Sequence, residues 1–337
     1  MPKLPDDEFV NRARGGAKGA LDALADLLGP CFLEEMLDRR HVLKPFTEIL
    51  VVDCVFHAIS RLLSDAQSDV KTVFTEIANR EFDRWFRSFQ TDVEEASRLQ
   101  GGIFPRSVPS NGGLEIAARS RPLRPINGDL YDFIERPDDT LVVLVDASGK
   151  GTAAGLFAAV AGGFFRGFAA GNQTPSELLT LLNDSTSGAS TDSKYLTILL
   201  VSWSLASVEA RIASAGFPDP LVSNQRTRIP FQVESGPLIG LQLPKDQKSG
   251  QYTEVSLKLA IGDWIAVFSD GITDQFNSVD EEYGVDRLWE IIHANENESA
   301  ERIVERVFAD IDRHRGITSA QDDQTLVLIR AIGTRVR

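Results

Sequence analysis

The chain has 337 residues, 42% hydrophobic and 25% charged, which is apolar material enough for a sizeable core without disulfides or a structural metal. Its 35 Lys and Arg against 49 Asp and Glu leave a formal net charge of −14; this argues against a nucleic-acid binder, and no Lys/Arg run builds a basic groove. No uncharged stretch reaches the ~20 apolar residues that span a bilayer, the N-terminus lacks the apolar core of a signal peptide, and Cys31 and Cys54 show no CxxC spacing, so a cytoplasmic protein without membrane contact is expected.

Up to about residue 100 the pattern is helical. Leu21, Leu24, Ala25, Leu27 and Leu28 recur at helical spacing until Gly29-Pro30 ends the run. A short helix follows at 32–38. Thr47 caps a third, with Ile49, Val52, Val55, Phe56, Ile59 and Leu63 on one stripe. A longer helix over about 69–100 carries Val73, Ile77, Phe82, Trp85, Phe86, Phe89, Val93 and Ala96, a stripe that suits either a bundle core or a homodimer seam. Beyond it, strands are predicted at about 114–119, 129–136 and 140–147, then helices at 152–170 and 175–186. Further strands fall at 194–203, 207–214, 220–224, 253–260 and 263–269. Helices at 284–293 and 299–314 precede a last strand at 324–332. Strands in runs, with helices in pairs, predict mainly antiparallel sheets. The helix at 152–170 is apolar nearly all round and carries Gly155, Gly162, Gly163 and Gly167, a pattern that predicts burial close against a sheet.

Four segments place an aspartate at or just beyond a strand end, beside a turn-forming residue. They are Gly128-Asp129-Leu130-Tyr131-Asp132, Asp146-Ala147-Ser148-Gly149-Lys150-Gly151, Ser269-Asp270-Gly271-Ile272-Thr273-Asp274 and Gln321-Asp322-Asp323-Gln324-Thr325. Asp-Gly is also the commonest turn dipeptide, so one such tip alone signifies a turn. Four in one domain, with few Lys or Arg beside them, point to a shared cation site, because a carboxylate at the tip of an apolar strand is costly unless paired. All four histidines (His41, His57, His293, His314) lie outside these segments, and both cysteines lie in the other domain. The donors are therefore all oxygen, which suits Mg2+ or Mn2+ and disfavours Zn2+. No Ser/His/Asp or Cys/His arrangement is visible, and Ser148-Gly149-Lys150-Gly151 lacks the GxxxxGK[ST] pattern of a phosphate loop. What remains is metal-activated water as the nucleophile.

In order, GDLYD, DASGKG, SAGFPDPLV, PLIGL, GDWIAVFSDGITD and DDQTLVLIR resemble the motif series of the PPM-type metal-dependent serine/threonine phosphatases. More narrowly, they resemble the bacterial branch of sporulation stage II E and stress-response sigma-regulator phosphatases. Arg98-Leu99-Gln100 and Phe104-Pro105 resemble that branch's linker helix, and the likeness covers about 94–332. It implies an α+β fold, an αββα sandwich of two antiparallel sheets flanked by helices, preceded by an all-α domain. The expected division is a helical regulatory and dimerisation domain (1–93), a linker helix and loop (94–112) and the phosphatase domain (113–333).

Carried over position by position, the resemblance implies two Mn2+ or Mg2+ ions held by Asp129, Asp146, Asp270, Asp322 and the backbone carbonyl of Ala147. Asp146 would bridge the ions, Asp129 would bind one, and Asp270 and Asp322 the other; these four aspartates form the catalytic set. Asp323 is expected to orient a turn. The implied reaction is in-line attack of a metal-bridged hydroxide on phosphoserine or phosphothreonine, without a phosphoenzyme. The implied substrate is a phosphorylated regulatory protein, an anti-sigma-factor antagonist of STAS type, and the chain is expected to form a homodimer through its N-terminal helices. The sequence departs from the pattern at Ser214-Ala215-Gly216-Phe217, where Asn-Ala-Gly-His is usual, at Asp274, where Glu is usual, and at Asn127, where Gly is usual. Phe217 is expected to pack on a sheet edge, and Arg124 and Lys150 are either phosphate-steering cations or solvated loop charges. The alternative reading is a catalytically weak phosphatase-like module that holds a signalling partner through a dimeric helical domain.

Overall fold

A computed structural model describes residues 70–105, 107–109, 113–168, 171–186, 194–204, 207, 209–241 and 252–333. The helices expected before residue 70, with Cys31, Cys54, His41 and His57, lie outside the described residues. Contacts group the chain into two units, Met1–Val93 and Glu94–Arg337. Helix α1 (Val70–Gly101) is continuous through the residue at which they divide.

The second unit opens with strands β1 (Gly113–Arg121), β2 (Asp129–Glu135) and β3 (Asp139–Ala147), followed by helices α2 (Thr152–Phe168) and α3 (Pro175–Thr186). Then come β4 (Leu196–Ser204), β5 (Glu209–Ala215), β6 (Leu221–Asn224), β7 (Thr227–Ile229), β8 (Val255–Lys258) and β9 (Trp264–Phe268). A single turn α4 (Asp270–Thr273), helices α5 (Val285–Ala294) and α6 (Ala300–Arg315) and strand β10 (Gln324–Gly333) follow. The strands form two five-stranded sheets, ordered β1-β10-β9-β6-β7 and β2-β3-β4-β5-β8, with every strand pair antiparallel.

Side chains alternate across each strand, and this period of two sorts the core into three layers. Val142 and Leu144 of β3 enter the layer between the sheets, with Leu199, Val201, Ile265, Val267, Val327 and Ile329. Leu141, Val143 and Val145 take the other face and pack with Ala158, Phe165, Leu178 and Leu182 of α2 and α3. On the far sheet, Trp264, Ala266, Leu326 and Leu328 pack with Leu288, Ile303, Val307 and Phe308 of α5 and α6. The result is the layered α-β-β-α arrangement expected from the motif series. β3, buried on both faces, is the near-continuous apolar run that such a position requires.

The structure departs from expectation in four places. Helix α2 is not buried all round: Gly155 and Gly162 press against Ile126 and Leu130, but Gly163 and Gly167 face open space and Leu156, Val160 and Phe168 are exposed. β7 and α4 are too short for a periodic signal and were not expected. β8 is confined to four residues of the predicted 253–260. Phe217 packs into the inter-sheet core instead of lying on a sheet edge.

Candidate metal centre at the end of the sandwich

The alternation that fills the inter-sheet layer also aims the polar residues at its end. In β3, Asp146 continues the face of Val142 and Leu144, and in β2, Asp129 shares the face of Tyr131 and Phe133. The two aspartates are direct cross-strand partners. From the opposite sheet, Ser269 follows Ile265 and Val267 on the same face, and Thr325 precedes Val327 and Ile329. Asp270 opens α4 immediately after β9, and Asp322 lies just before β10. Four separated stretches of chain thus bring acidic tips to one end of the sandwich. The β9–α4 and β10 tips approach so closely that a Cβ on Gly271 would stand 2.0 Å from the Asp323 carbonyl oxygen, so only glycine fits after Asp270.

Burial grades across the cluster. Asp129 is fully buried, Asp146 and Asp322 are half-buried and Asp270 is exposed. Burial, then the Asp146 charge, pushes the Asp129 carboxyl well above its ordinary range, against the opposing hydrogen bonds of Thr325 and Ser269. Burial, then Asp270, Asp322 and Asp323, raises Asp146 to about 7. Partial loss of water around the carboxyl, then Asp274 and Asp322, raises Asp270 even at the open rim. A carboxylate cluster that is driven to hold protons is short of positive charge.

Within the cluster, Lys150 supplies some of it. Its Nζ lies 2.9 Å from Asp322 Oδ2 and donates to the Gln321 carbonyl, so it is an exposed loop charge paired with the cluster. Arg124 stays on the exposed rim beside Gly151. Ala147 is buried, with its carbonyl oxygen 3.5 Å from where a Cβ on Gly128 would stand. Asp323 does not reach into the cluster as a free donor. Its Oδ1 accepts from the Leu123 amide at 2.6 Å and its Oδ2 from the Gly128 amide at 2.7 Å, which ties the loop before Asp129 to the start of β10.

Three supporting residues carried no chemical signal in the sequence. Ser269 and Thr325 hydrogen-bond Asp129. Gln100, at the end of α1, donates from Nε2 to the Asn127 carbonyl (2.6 Å) and accepts at Oε1 from the Asn127 amide (2.8 Å). Gln100 is buried, and its place in Arg98-Leu99-Gln100, part of the linker-helix resemblance, was the one clue the sequence offered. Of the described histidines, His293 stacks on Trp289 and His314 meets Tyr283 edge-on.

Among the described residues no three carboxyl, imidazole or thiol side chains are already closed into a metal cage. The donors are carboxylates and carbonyls at an open rim, a set suited to a hard divalent ion that keeps some of its water.

The chain is 24% identical to the phosphoserine phosphatase RsbU of Bacillus subtilis (strain 168) over 247 residues, 72% of this chain and 71% of that one. Its fold matches the SiaA-PP2C domain of Pseudomonas aeruginosa with a TM-score of 0.64 and 20% identity, covering 72% of this chain and 97% of that domain. It also matches the PP2C phosphatase domain and regulatory-domain fragment of SpoIIE from Bacillus subtilis, with a TM-score of 0.56, 17% identity, and 66% and 64% of the two chains. The family model for stage II sporulation protein E (SpoIIE) matches residues 136–332, a span that takes in Asp146, Asp270 and Asp322, and with more than half its length so matched the chain belongs to this family.

Proposed function

We propose that the chain is a Mn2+- or Mg2+-dependent protein phosphatase that hydrolyses phosphoserine or phosphothreonine on a regulatory protein. The observation that carries this reading is the in-register pairing of Asp129 with Asp146 at the same end of the sandwich as Asp270 and Asp322. Asp129, Asp146, Asp270, Asp322 and the Ala147 carbonyl are the residues that would hold two divalent ions. Bound there, the ions supply Lewis-acid activation of water and neutralise charge on the phosphoryl group.

The chain's own residues divide the remaining work. The buried Asp129 and half-buried Asp146 furnish the carboxylates that fix where cations settle. Asp323 and Gln100 hold the loop that carries Asp129. The exposed Asp270 and half-buried Asp322 leave the rim open, a shape for a phosphorylated side chain on another protein more than for an enclosed small molecule.

The family likeness supports, as the finer reading, a phosphorylated anti-sigma-factor antagonist of STAS type as substrate and a cytoplasmic setting; among the described residues no helix is long and apolar enough to cross a membrane. We assign residues 1–93 a regulatory and dimerising role, residues 94–112 the linker, and residues 113–333 catalysis. Light scattering on the full chain tests the homodimer, which a strictly monomeric protein overturns. Phosphate release from a phosphoserine protein tests the activity: it should require Mn2+ or Mg2+, stop on chelation and return when metal is restored. Turnover unaffected by chelator would refute the metal reading.

A further inference from the structure

The hydrogen bonds around Asp129 converge on one of its two oxygens. Thr325 donates its amide to Ser269 Oγ at 2.9 Å, so the Ser269 hydroxyl proton is free to go elsewhere, and Asp129 Oδ2 lies 2.7 Å away. The Asp323 carbonyl, at 3.4 Å, is the poorer acceptor. Asn127 donates from Nδ2 to Ser120 Oγ at 2.7 Å, and Ser120 Oγ is 2.8 Å from Thr325 Oγ1. Thr325 Oγ1 in turn lies 2.7 Å from the same Asp129 Oδ2. Ser120 Oγ thus accepts from Asn127 and lies within reach of the Thr325 hydroxyl, and the Thr325 and Ser269 hydroxyls both reach Asp129. Both hydroxyls meet it at Oδ2. Among the described residues no donor reaches Oδ1.

We propose that Ser269 and Thr325 are positioning residues of the metal centre: together their hydroxyls saturate Oδ2 of Asp129 and leave Oδ1 as the oxygen presented to a cation or its water. Ser269, Thr325 and Asp129 are all at most 2% exposed, so no solvent competes for these bonds. The two hydroxyls come from the sheet opposite Asp129, so they also fix the spacing of the two sheets at the centre. This inference rests on the reading of Asp129 as a metal-site carboxylate.

The test uses the full chain and Mn2+ alone, with affinity read by calorimetry and folding by thermal denaturation with chelator. Thr325→Val keeps the shape and removes the hydroxyl; it should weaken Mn2+ binding about tenfold, the scale of a hydrogen bond to a charged group. Thr325→Ser keeps the hydroxyl and should stay within about twofold of the parent. Ser269→Ala is the second variant, should Thr325→Val fold poorly, and the same loss is expected. In an Asp129→Asn background, Thr325→Val should cost little further, because the effect passes through that carboxylate. An unchanged affinity in folded Thr325→Val and Ser269→Ala overturns the proposal, as does a Thr325→Ser variant as weak as Thr325→Val. A parent chain that binds no Mn2+ removes the metal reading itself. A parent that binds normally beside unaffected variants removes only the positioning role.

Discussion

Asp146 sits where the electrostatic cost of the cluster is concentrated, since burial and three neighbouring carboxylates all oppose its charge. Replacing it with the isosteric amide relieves that repulsion while deleting a donor that a divalent ion would need. Asp146→Asn should therefore lose at least roughly 100-fold in metal-dependent turnover, the scale of removing one preorganised electrostatic group, and melt no lower than the parent in chelator. Phosphate release and thermal denaturation measured side by side decide this. Retained turnover would remove Asp146 from the site. Lys150 behaves oppositely. Its ammonium already occupies Asp322, so it competes with any cation that needs this carboxylate. Both partners are about 40% exposed, which limits the pair to the strength of a surface ion pair. Lys150→Gln should tighten Mn2+ binding by roughly threefold at low ionic strength and lower the melting temperature of the metal-free chain, with the gain fading in high salt. Weaker Mn2+ binding in calorimetry would mean that Lys150 organises the loop and does not compete.

At the scale of elements, the end of α1 reaches the centre through Gln100. Gln100 uses both ends of its amide on the backbone of Asn127, two residues before Asp129, and Asn127 Oδ1 in turn accepts from the Asp129 amide at 3.0 Å. Gln100→Ala would strand a buried carbonyl and a buried amide, a penalty on the order of 1–3 kcal/mol each where water cannot reach them. The expected outcome is at least a tenfold fall in turnover with a modest fall in melting temperature, because the loop shifts while the sandwich persists. Turnover equal to the parent would show that the Asn127 backbone is held without it. This clamp also marks the limit of what the sequence disclosed. Strands β2, β3, β9 and β10 were legible because apolar runs ending in Asp and Gly are strong signals. The same pattern marked four acidic segments, and the resemblance to the phosphatase motif series singled out Asp129, Asp146, Asp270 and Asp322 within them. Ser269, Thr325 and Gln100 were not singled out, because a hydroxyl or amide acquires its role only from what the fold sets opposite it. Short β7 and α4 escaped because three or four residues carry no period. The exposed stripe of Leu156, Val160 and Phe168 was misread as core because an apolar helix face looks the same whether the fold covers it or not.

The whole molecule stores its acidity unevenly, and this gives it a pH signature. Burial raises Asp129, Asp146, Asp270 and Asp323, with Asp146 moving from an ordinary 3.8 to about 7. Across the window from about pH 4 to 7 the folded chain therefore holds protons that the unfolded chain has released. Stability falls with rising pH wherever the native state binds more protons, so the metal-free protein should lose stability from pH 5 to 7.5. Two described carboxylates held low do not mask this. Against the push of burial, Arg136 and Ser202 hold Asp139 below its ordinary value, and Arg287 does the same for Asp310; their contributions are complete above about pH 4 and stay level across the window. A divalent ion reverses the slope of the cluster because it must displace the protons that the cluster retains, so its binding strengthens as pH rises. The separation between melting temperatures in Mn2+ and in chelator should widen steadily from pH 5.5 to 7.5. A metal-free melting temperature that climbs through this range, or a separation that stays constant, would mean that the aspartates at the end of the sandwich are not titrating as one metal-binding group.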